Sequence, residues 1–335
     1  MFFKRFAVLI ALCSFPAGLM AEEELTFTPS MAYFVWQSIS TEKTGTTTVS
    51  KSETRHFGFP GFSVKKQVGS NEIEGVFMTQ SFDGSLDLYQ MYAALTRNEI
   101  TYKLGFFDPS DVSLGFSYLP LKSDPEYFGV MIAQGSYLGV DLNDLGLSVI
   151  YGSQTIQHQA DNGDATADAG TDQQTSGAYF NNEFGSLSVA AAVVQVAHKN
   201  DKNKNPSAAA LAAGDYTDLM TNFGVSFDTD FVSFTAQGQQ TKNTTVALVT
   251  TENRSNLNLD FPTAEGDGFG LSVTQQSTKD DTPNPAMWSI SELGYTWGVD
   301  ALQLSTMLFS SLTHDADVTD DTTEQGLIFG MVLDF

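Results

Sequence analysis

The chain predicts an all-β fold: an antiparallel, membrane-spanning barrel of about 16 strands, with 14 and 18 also compatible. Three observations predict it. Apolar residues recur with a period of two, the segments between them differ systematically in length, and the chain ends on an alternating strand whose last residue is aromatic. No run after residue 21 approaches 18 consecutive apolar residues, so no transmembrane helix is expected.

The first residues read as a leader. Lys4 and Arg5 form a short positive region, Phe6 to Met20 is largely apolar, and Ala21 is a small residue at the cleavage position. That is the layout of a secretory signal peptide, expected over residues 1–21, and the apolar run is too short to span a bilayer as a helix. Residues 22–335 then form one barrel domain. The single cysteine, Cys13, falls inside the leader, and Leu12 before it does not suit a lipoprotein signal. A cysteine-free remainder excludes disulfides, thiol catalysis and cysteine-ligated metals.

The full chain has a net charge of −24, from 16 basic and 40 acidic residues. Loss of Lys4 and Arg5 with the leader leaves 14 basic residues against the same 40 acidic ones, a net −26. Neutralising phosphates requires clustered Lys and Arg, so no nucleic-acid partner is expected.

Strand periodicity is explicit in four segments. Ile100, Tyr102, Leu104 and Phe106 alternate with Thr101, Lys103 and Gly105, and Val112 to Tyr118 alternates in the same way with small residues. Leu219, Thr221, Phe223, Val225 and Phe227 oppose Asn222, Gly224 and Ser226; Phe269, Leu271 and Val273 oppose Gly270, Ser272 and Thr274. One apolar face and one small or polar face define each strand.

The connections fall into two length classes. Short ones are Asp83-Gly84, Asp141 to Asp144, Glu183 to Gly185, Asp228 to Asp230 and Gly298 to Asp300. Long ones are Ser40 to Glu53, Gln157 to Gln174, His198 to Asp218, Thr241 to Asn253 and Leu312 to Thr323. From about residue 141 the two classes alternate, as tight periplasmic turns and longer extracellular loops do in transmembrane barrels. Aromatic residues, 12% of the chain, cluster near expected strand ends at Tyr33, Phe34 and Trp36, at Phe106 and Phe107, and at Tyr295 and Trp297. Such rings suit the two membrane–water interfaces.

At the C-terminus Leu327, Phe329, Met331, Leu333 and Phe335 share one face, with Gly326, Gly330 and Asp334 on the other. The pattern resembles the closing strand of bacterial outer-membrane proteins. That resemblance implies that Phe329, Met331, Leu333 and Phe335 form the signature read by the barrel-assembly machinery. Counting back from Phe335 gives seventeen candidate strands, one too many for a simple closed barrel. Loop-length parity breaks between residues 53 and 141, and the segment Asp108 to Tyr127, with Pro109, Pro120 and Pro125, is the expected inward-folded loop.

At this length and strand count the chain resembles the porin superfamily of Gram-negative bacteria. Ile100 to Asp108, followed by a proline-bearing excursion, looks like the porin strand that leads into the constriction loop. The resemblance implies a water-filled channel for small hydrophilic solutes, a homotrimer, and an outer-membrane location among lipid and lipopolysaccharide. It implies a constriction bearing Asp108, Asp111, Asp124 and Glu126, with Lys103 and Lys122 as counter-charges. The chain departs from the general porins in lacking an arginine cluster: after the leader only Arg55, Arg97 and Arg254 remain, far apart. Carboxylates at a constriction favour cations, so a cation-preferring or weakly selective channel is expected.

Other chemistry is sparse. Asp161, Asp164, Asp168 and Asp172, and then Asp315, Asp317, Asp320 and Asp321, are carboxylate groups in expected loops. They lack EF-hand spacing and read as solvated loop residues, with divalent bridging to lipopolysaccharide a milder alternative. His56, His158, His198 and His314 occur in no H-E-x-x-H motif, and no G-x-S-x-G elbow is present, so neither an enzyme nor a metal or cofactor site is expected. A substrate-specific channel and a structural or adhesive surface barrel with a blocked lumen are the alternatives to a diffusion channel.

Overall fold

The computed structural model describes residues 25–82, 85–107, 135–157, 170–200, 216–244, 249–264, 267–279, 286–299, 302–314 and 321–334. They form sixteen strands: β1 (Leu25–Thr44), β2 (Thr47–Val68), β3 (Asn71–Phe82), β4 (Ser85–Arg97), β5 (Ile100–Phe107), β6 (Gly135–Leu142), β7 (Leu147–Gln157) and β8 (Gly170–Phe184). The second half comprises β9 (Leu187–Asn200), β10 (Tyr216–Asp228), β11 (Ser233–Thr244), β12 (Val249–Ala264), β13 (Asp267–Lys279), β14 (Ala286–Val299), β15 (Leu302–His314) and β16 (Thr322–Asp334). Each strand pairs antiparallel with its neighbours in sequence, and β1 pairs β16 from Ala32↔Asp334 to Thr44↔Thr322. The ring is therefore closed. Among the described residues no helix is long and apolar enough to cross a membrane, and a single 3-10 turn, Asn143–Leu145, interrupts the strands.

Period two decides which way each side chain points. On β13, Phe269 and Leu271 are exposed while Gly268, Gly270, Ser272 and Thr274 are buried. On β5, Leu104 is 67% exposed on the outer face, and Leu138, Val149, Val193, Phe223, Leu293 and Leu308 are its exposed counterparts around the ring. Leaving such side chains in water would forfeit about 1.5–3 kcal/mol each; hydrocarbon accepts them, and an apolar outer belt is what a membrane barrel requires. Tyr295 and Trp297 stack on this face with ring centroids 6.1 Å apart, and Phe27, Phe62 and Phe77 form a second ladder at 5.3 and 5.6 Å.

The C-terminal strand has the expected parity. Leu327, Phe329, Met331 and Leu333 lie on the outer face, with Phe329 exposed, while Gly326, Ile328 and Gly330 turn inward. Phe335 lies outside the described residues. Gly326 is needed for a close approach: a Cβ there would lie 2.7 Å from the Phe309 ring.

Several expectations are corrected. Ser40 to Glu53 is not a loop, because β1 and β2 continue to a two-residue turn at Gly45-Thr46. The residues there are polar, so the apolar alternation fades, yet the ladder runs on. It is supported by Lys51 with Glu42 (2.5 Å) across β1 and β2, and β1 is held to β16 by Ser40 with Glu324 (2.6 Å) and Thr44 with Thr322 (2.8 Å). β3 ends at Phe82 and β4 starts at Ser85, at the same barrel end as the long connections, which accounts for the break in parity. The alternating segment Val112 to Tyr118 lies outside the described residues, and the next described strand is Gly135–Leu142. The wall closes without a seventeenth member, because β5 pairs directly with β6 from Ile100↔Leu142 to Phe107↔Gly135. Phe107 also departs from the expected aromatic girdle: it shares the parity of Lys103 and is buried on the inner face.

At the opposite, turn-bearing end, Asn98 and Glu99 link β4 to β5 with φ of 48° and 64°. Asn tolerates this left-handed region better than Glu does. The Glu99 carboxyl is held above the ordinary Glu range, first by its hydrogen bond with Asp144 and then by that neighbour's charge. A folded value above the unfolded one means that Glu99 favours the fold below the ordinary Glu range. That contribution falls away as pH rises through the Glu99 value. Glu99→Gln is expected to flatten this part of the pH–stability curve, and Glu99→Gly to raise the unfolding midpoint at neutral pH as well. Heat-modifiability on semi-native gels, followed against pH, checks both. On the outer face, Leu104→Arg is expected to cost about 2–4 kcal/mol if that position lies near the bilayer midplane, measured by reversible denaturant titration in lipid.

Candidate functional site: the barrel lumen

Inward positions on successive strands form the lumen wall. On β5 and β6 these are Lys103 and Phe107, then Tyr137, Gly139 and Asp141. Lys103 Nζ lies 2.9 Å from the Asp141 carboxylate and 6.0 Å from the centroid of the Tyr92 ring on β4. Tyr92 meets Phe107 edge-on at 5.6 Å, and Phe107 meets Tyr137 at 5.5 Å. The ring of Tyr137 in turn covers Gly152, where a Cβ would overlap it. Beyond these rings, Ile150, Tyr179, Val194 and Met220 continue an inward apolar stripe across β7 to β10. A niche of about 350 Å³ opens on this wall, toward the turn-bearing end, with Gln90, Lys103, Asp141, Asn143 and Asn181 around its aromatic floor.

Of the expected constriction residues, Lys103 is placed on the lumen wall. Asp108, Asp111, Lys122, Asp124 and Glu126 lie outside the described residues. The partner of Lys103 is Asp141, read from the sequence as part of a turn. Strand parity was the signal that could have found it, since Leu138 and Val140 point outward and so direct Gly139 and Asp141 inward.

Among the described residues the lumen wall is also more acidic than basic. Lys51 with Glu42 (2.5 Å), Arg55 with Glu53 (2.7 Å), Lys65 with Glu74 (3.3 Å) and Lys103 with Asp141 are inward ion pairs. Arg254 stands over the Trp288 ring at 5.9 Å. Inward carboxylates exceed these cations: Asp218, Asp260, Glu292 and Glu324 occupy further wall positions, with Asp260 and Glu292 buried.

Two of the described histidines, His198 and His314, pair with neighbouring side chains. On β9, His198 is buried; its Nδ1 lies 2.9 Å from Gln173 Nε2 and its Nε2 2.9 Å from Asp218, which also accepts a 2.6 Å hydrogen bond from Asn243. Both imidazole nitrogens are thus engaged, in a run of side chains that crosses β8 to β11. His314 pairs with Asp321 at 2.7 Å in the exposed loop-bearing end, and His56 is on the outer side of β2 opposite Val35. His158 lies outside the described residues. Among the described residues no group of three or more His, Cys, Asp or Glu is placed to hold a metal ion. Of the loop carboxylates, Asp161, Asp164, Asp168, Asp315, Asp317 and Asp320 also lie outside the described residues.

A closed sixteen-strand ring with an apolar outside and an oxygen-rich inside is a transmembrane barrel of the size class that encloses an aqueous channel. No protein-family model and no curated protein matches the chain. Solved structures do match. A loop-deletion form of OmpT, an outer-membrane protein of Vibrio cholerae, aligns over 94% of this chain and 100% of its own, with 12% identity and a TM-score of 0.66. The anion-selective porin from Comamonas acidovorans covers 93% of this chain and 100% of its own, at 13% identity and a TM-score of 0.66. OmpF from Salmonella typhi aligns over 92% and 98%, at 16% identity and a TM-score of 0.57. The chain is therefore a porin-like β-barrel with the fold of outer-membrane channels.

Because Lys103 is paired with a carboxylate, removing either partner unbalances the wall. Lys103→Met is expected to shift the reversal potential in a KCl gradient toward greater cation preference, and Asp141→Asn to shift it the other way. Equal and absent shifts in both variants would place the pair off the ion path.

Proposed function

We propose that this protein is an outer-membrane porin, a passive diffusion channel for small hydrophilic solutes with a preference for cations. The observation that carries the reading is the inward-facing wall of a closed sixteen-strand barrel, in which, among the described residues, carboxylates outnumber lysine and arginine. Water in the lumen replaces hydrocarbon along the path, and the excess negative charge biases which ions enter. The mechanism needs no cofactor, no catalysis and no energy input.

The working form is a homotrimer of residues 22–335 after removal of residues 1–21. Its outer belt contacts lipid and lipopolysaccharide, and Phe329, Met331, Leu333 and Phe335 serve as the barrel-assembly signal. The trimer is supported by OmpT of Vibrio cholerae, one structure of which is described as a trimer form. The constriction is assigned to Asp108, Asp111, Asp124 and Glu126 with Lys103 and Lys122, supported by Lys103 facing the lumen on β5, the strand that precedes residue 108.

A second reading, a structural or adhesive surface barrel with a blocked lumen, is favoured by the buried apolar residues on the inner face, Tyr137, Val194 and Met220 among them. Single-channel conductance in a planar lipid bilayer separates the two. Stepwise conductance with cation preference, in threes for a trimer, is expected of the porin. A folded, heat-modifiable barrel that conducts nothing would overturn it in favour of the closed barrel, and anion preference would overturn the selectivity.

A further inference from the structure

The outward face of β11, β12 and β13 changes character toward the loop-bearing end, and register fixes its rows. Ala236, Leu257 and Val273 form the last apolar row. Above it the face turns polar: Gln240 on β11 stands opposite Asn253 on β12, and its Nε2 donates to Asn253 Oδ1 at 2.8 Å. In the next row Lys242 pairs in register with Thr251, and Thr251 with Lys279. Both lysines are exposed and share the outward parity of Leu257 and Val273.

Charge and height both set this sector apart. In a chain of net charge −24, the outward positions of β10 to β14 carry no Asp or Glu at this end among the described residues; the outward Asp267 is at the opposite end, bonded to Gly298 N. Lys51, Lys65 and Lys103 on the inner face each have a carboxylate partner, whereas among the described residues Lys242 and Lys279 have none. From Ala236 to Lys242 the strand rises about 20 Å, or about 15 Å of height at a tilt of about 40°. A phospholipid headgroup layer is only about 5–8 Å deep on each side. The polar part of the face is therefore too tall for a phospholipid headgroup and suits a lipid whose headgroup is carbohydrate.

We propose that this face is a docking site for lipopolysaccharide, with Lys242 and Lys279 binding the two phosphates of its lipid A disaccharide. The site rests on the lipopolysaccharide contact proposed above and names the residues that make it. The loop-bearing end of a transmembrane barrel is the extracellular one, where this lipid lies. The two lysines stand two strand spacings apart, about 10 Å at the backbone, and flank Thr251, so a disaccharide lying across the row meets one ammonium at each end. Lysine serves phosphate as a point charge, and its long stem lets the ammonium reach out while its carbons cover the sheet. Below the phosphates, the Gln240 and Asn253 amides meet sugar and ester oxygens, and the acyl chains run down over Leu257 and Val273. With no carboxylate on this part of the face, the contact is made by direct charge pairing and not through a bridging divalent cation.

The test is binding of bisphosphorylated lipid A to the folded barrel in detergent with a chelator present, read by native mass spectrometry. Saturable binding is expected. Lys242→Gln and Lys279→Gln should each weaken it about fivefold, and the double variant at least about tenfold. Changing both lysines to Arg should keep it, and so should Lys43→Gln, which removes an outward lysine on β1, four strands from β13. Dephosphorylated lipid A should bind the unaltered protein no better than bisphosphorylated lipid A binds the double variant. Heat-modifiability verifies that each variant is folded. Full-strength binding in the double variant, or an equal loss in Lys43→Gln, would overturn the site. So would binding that appears only with added calcium and is lost when Asp280 and Asp281, which follow Lys279 in the chain, are changed to Asn. Binding that survives the lysine changes leaves the lipopolysaccharide contact standing without this site; no binding to the unaltered barrel removes the contact itself. Neither outcome bears on conductance.

Discussion

Every part of this structure depends on the pairing of β1 with β16. In hydrocarbon no water is available to satisfy a backbone N–H or C=O, so a sheet can cross only if it has no edge. The register from Ala32↔Asp334 to Thr44↔Thr322 removes the last two edges. Closure also divides the side chains of each strand into two solvents, one apolar and one aqueous, and so the alternation in the sequence and the topology of the ring are the same constraint seen twice.

Within that constraint the lumen wall is built from unequal sectors. From β4 to β10 it carries aromatic and aliphatic side chains around the Lys103–Asp141 pair. From β12 to β14 it carries amides, hydroxyls and carboxylates with glycines between them, beside Arg254, Trp288 and Ile290. The two sectors lie on opposite sides of a ring in which β5 and β13 are eight strands apart. The lumen is therefore faced by an aromatic wall bearing the Lys103–Asp141 pair and, across from it, by a wall richer in polar side chains.

The legible strands were those whose apolar face meets lipid along most of their length. In β13, Phe269, Leu271 and Val273 against Gly270, Ser272 and Thr274 gave both the strand and its orientation. The closing strand was legible for the same reason. The loop-proximal halves of β1 and β2 were not, because beyond the apolar belt both faces meet water and alternation is no longer selected; cross-strand hydrogen bonds and the Lys51–Glu42 pair hold them instead. Phe107 was misassigned to the outer girdle because Phe106 and Phe107 are adjacent, and only register with β6 shows which of the two turns inward.

The sequence by itself determined the architecture: an all-β, membrane-spanning barrel of about sixteen strands, acidic and without an arginine cluster. Period-two hydropathy and turn spacing are local properties, and so they are written in consecutive residues. Only the tertiary structure decided which distant residues share the lumen. Asp141 meets Lys103, Asp218 meets His198, and Asn258 faces Glu292 across Ser272. Those meetings depend on the register of neighbouring strands, where a slip of one residue would turn every inward side chain out to the lipid.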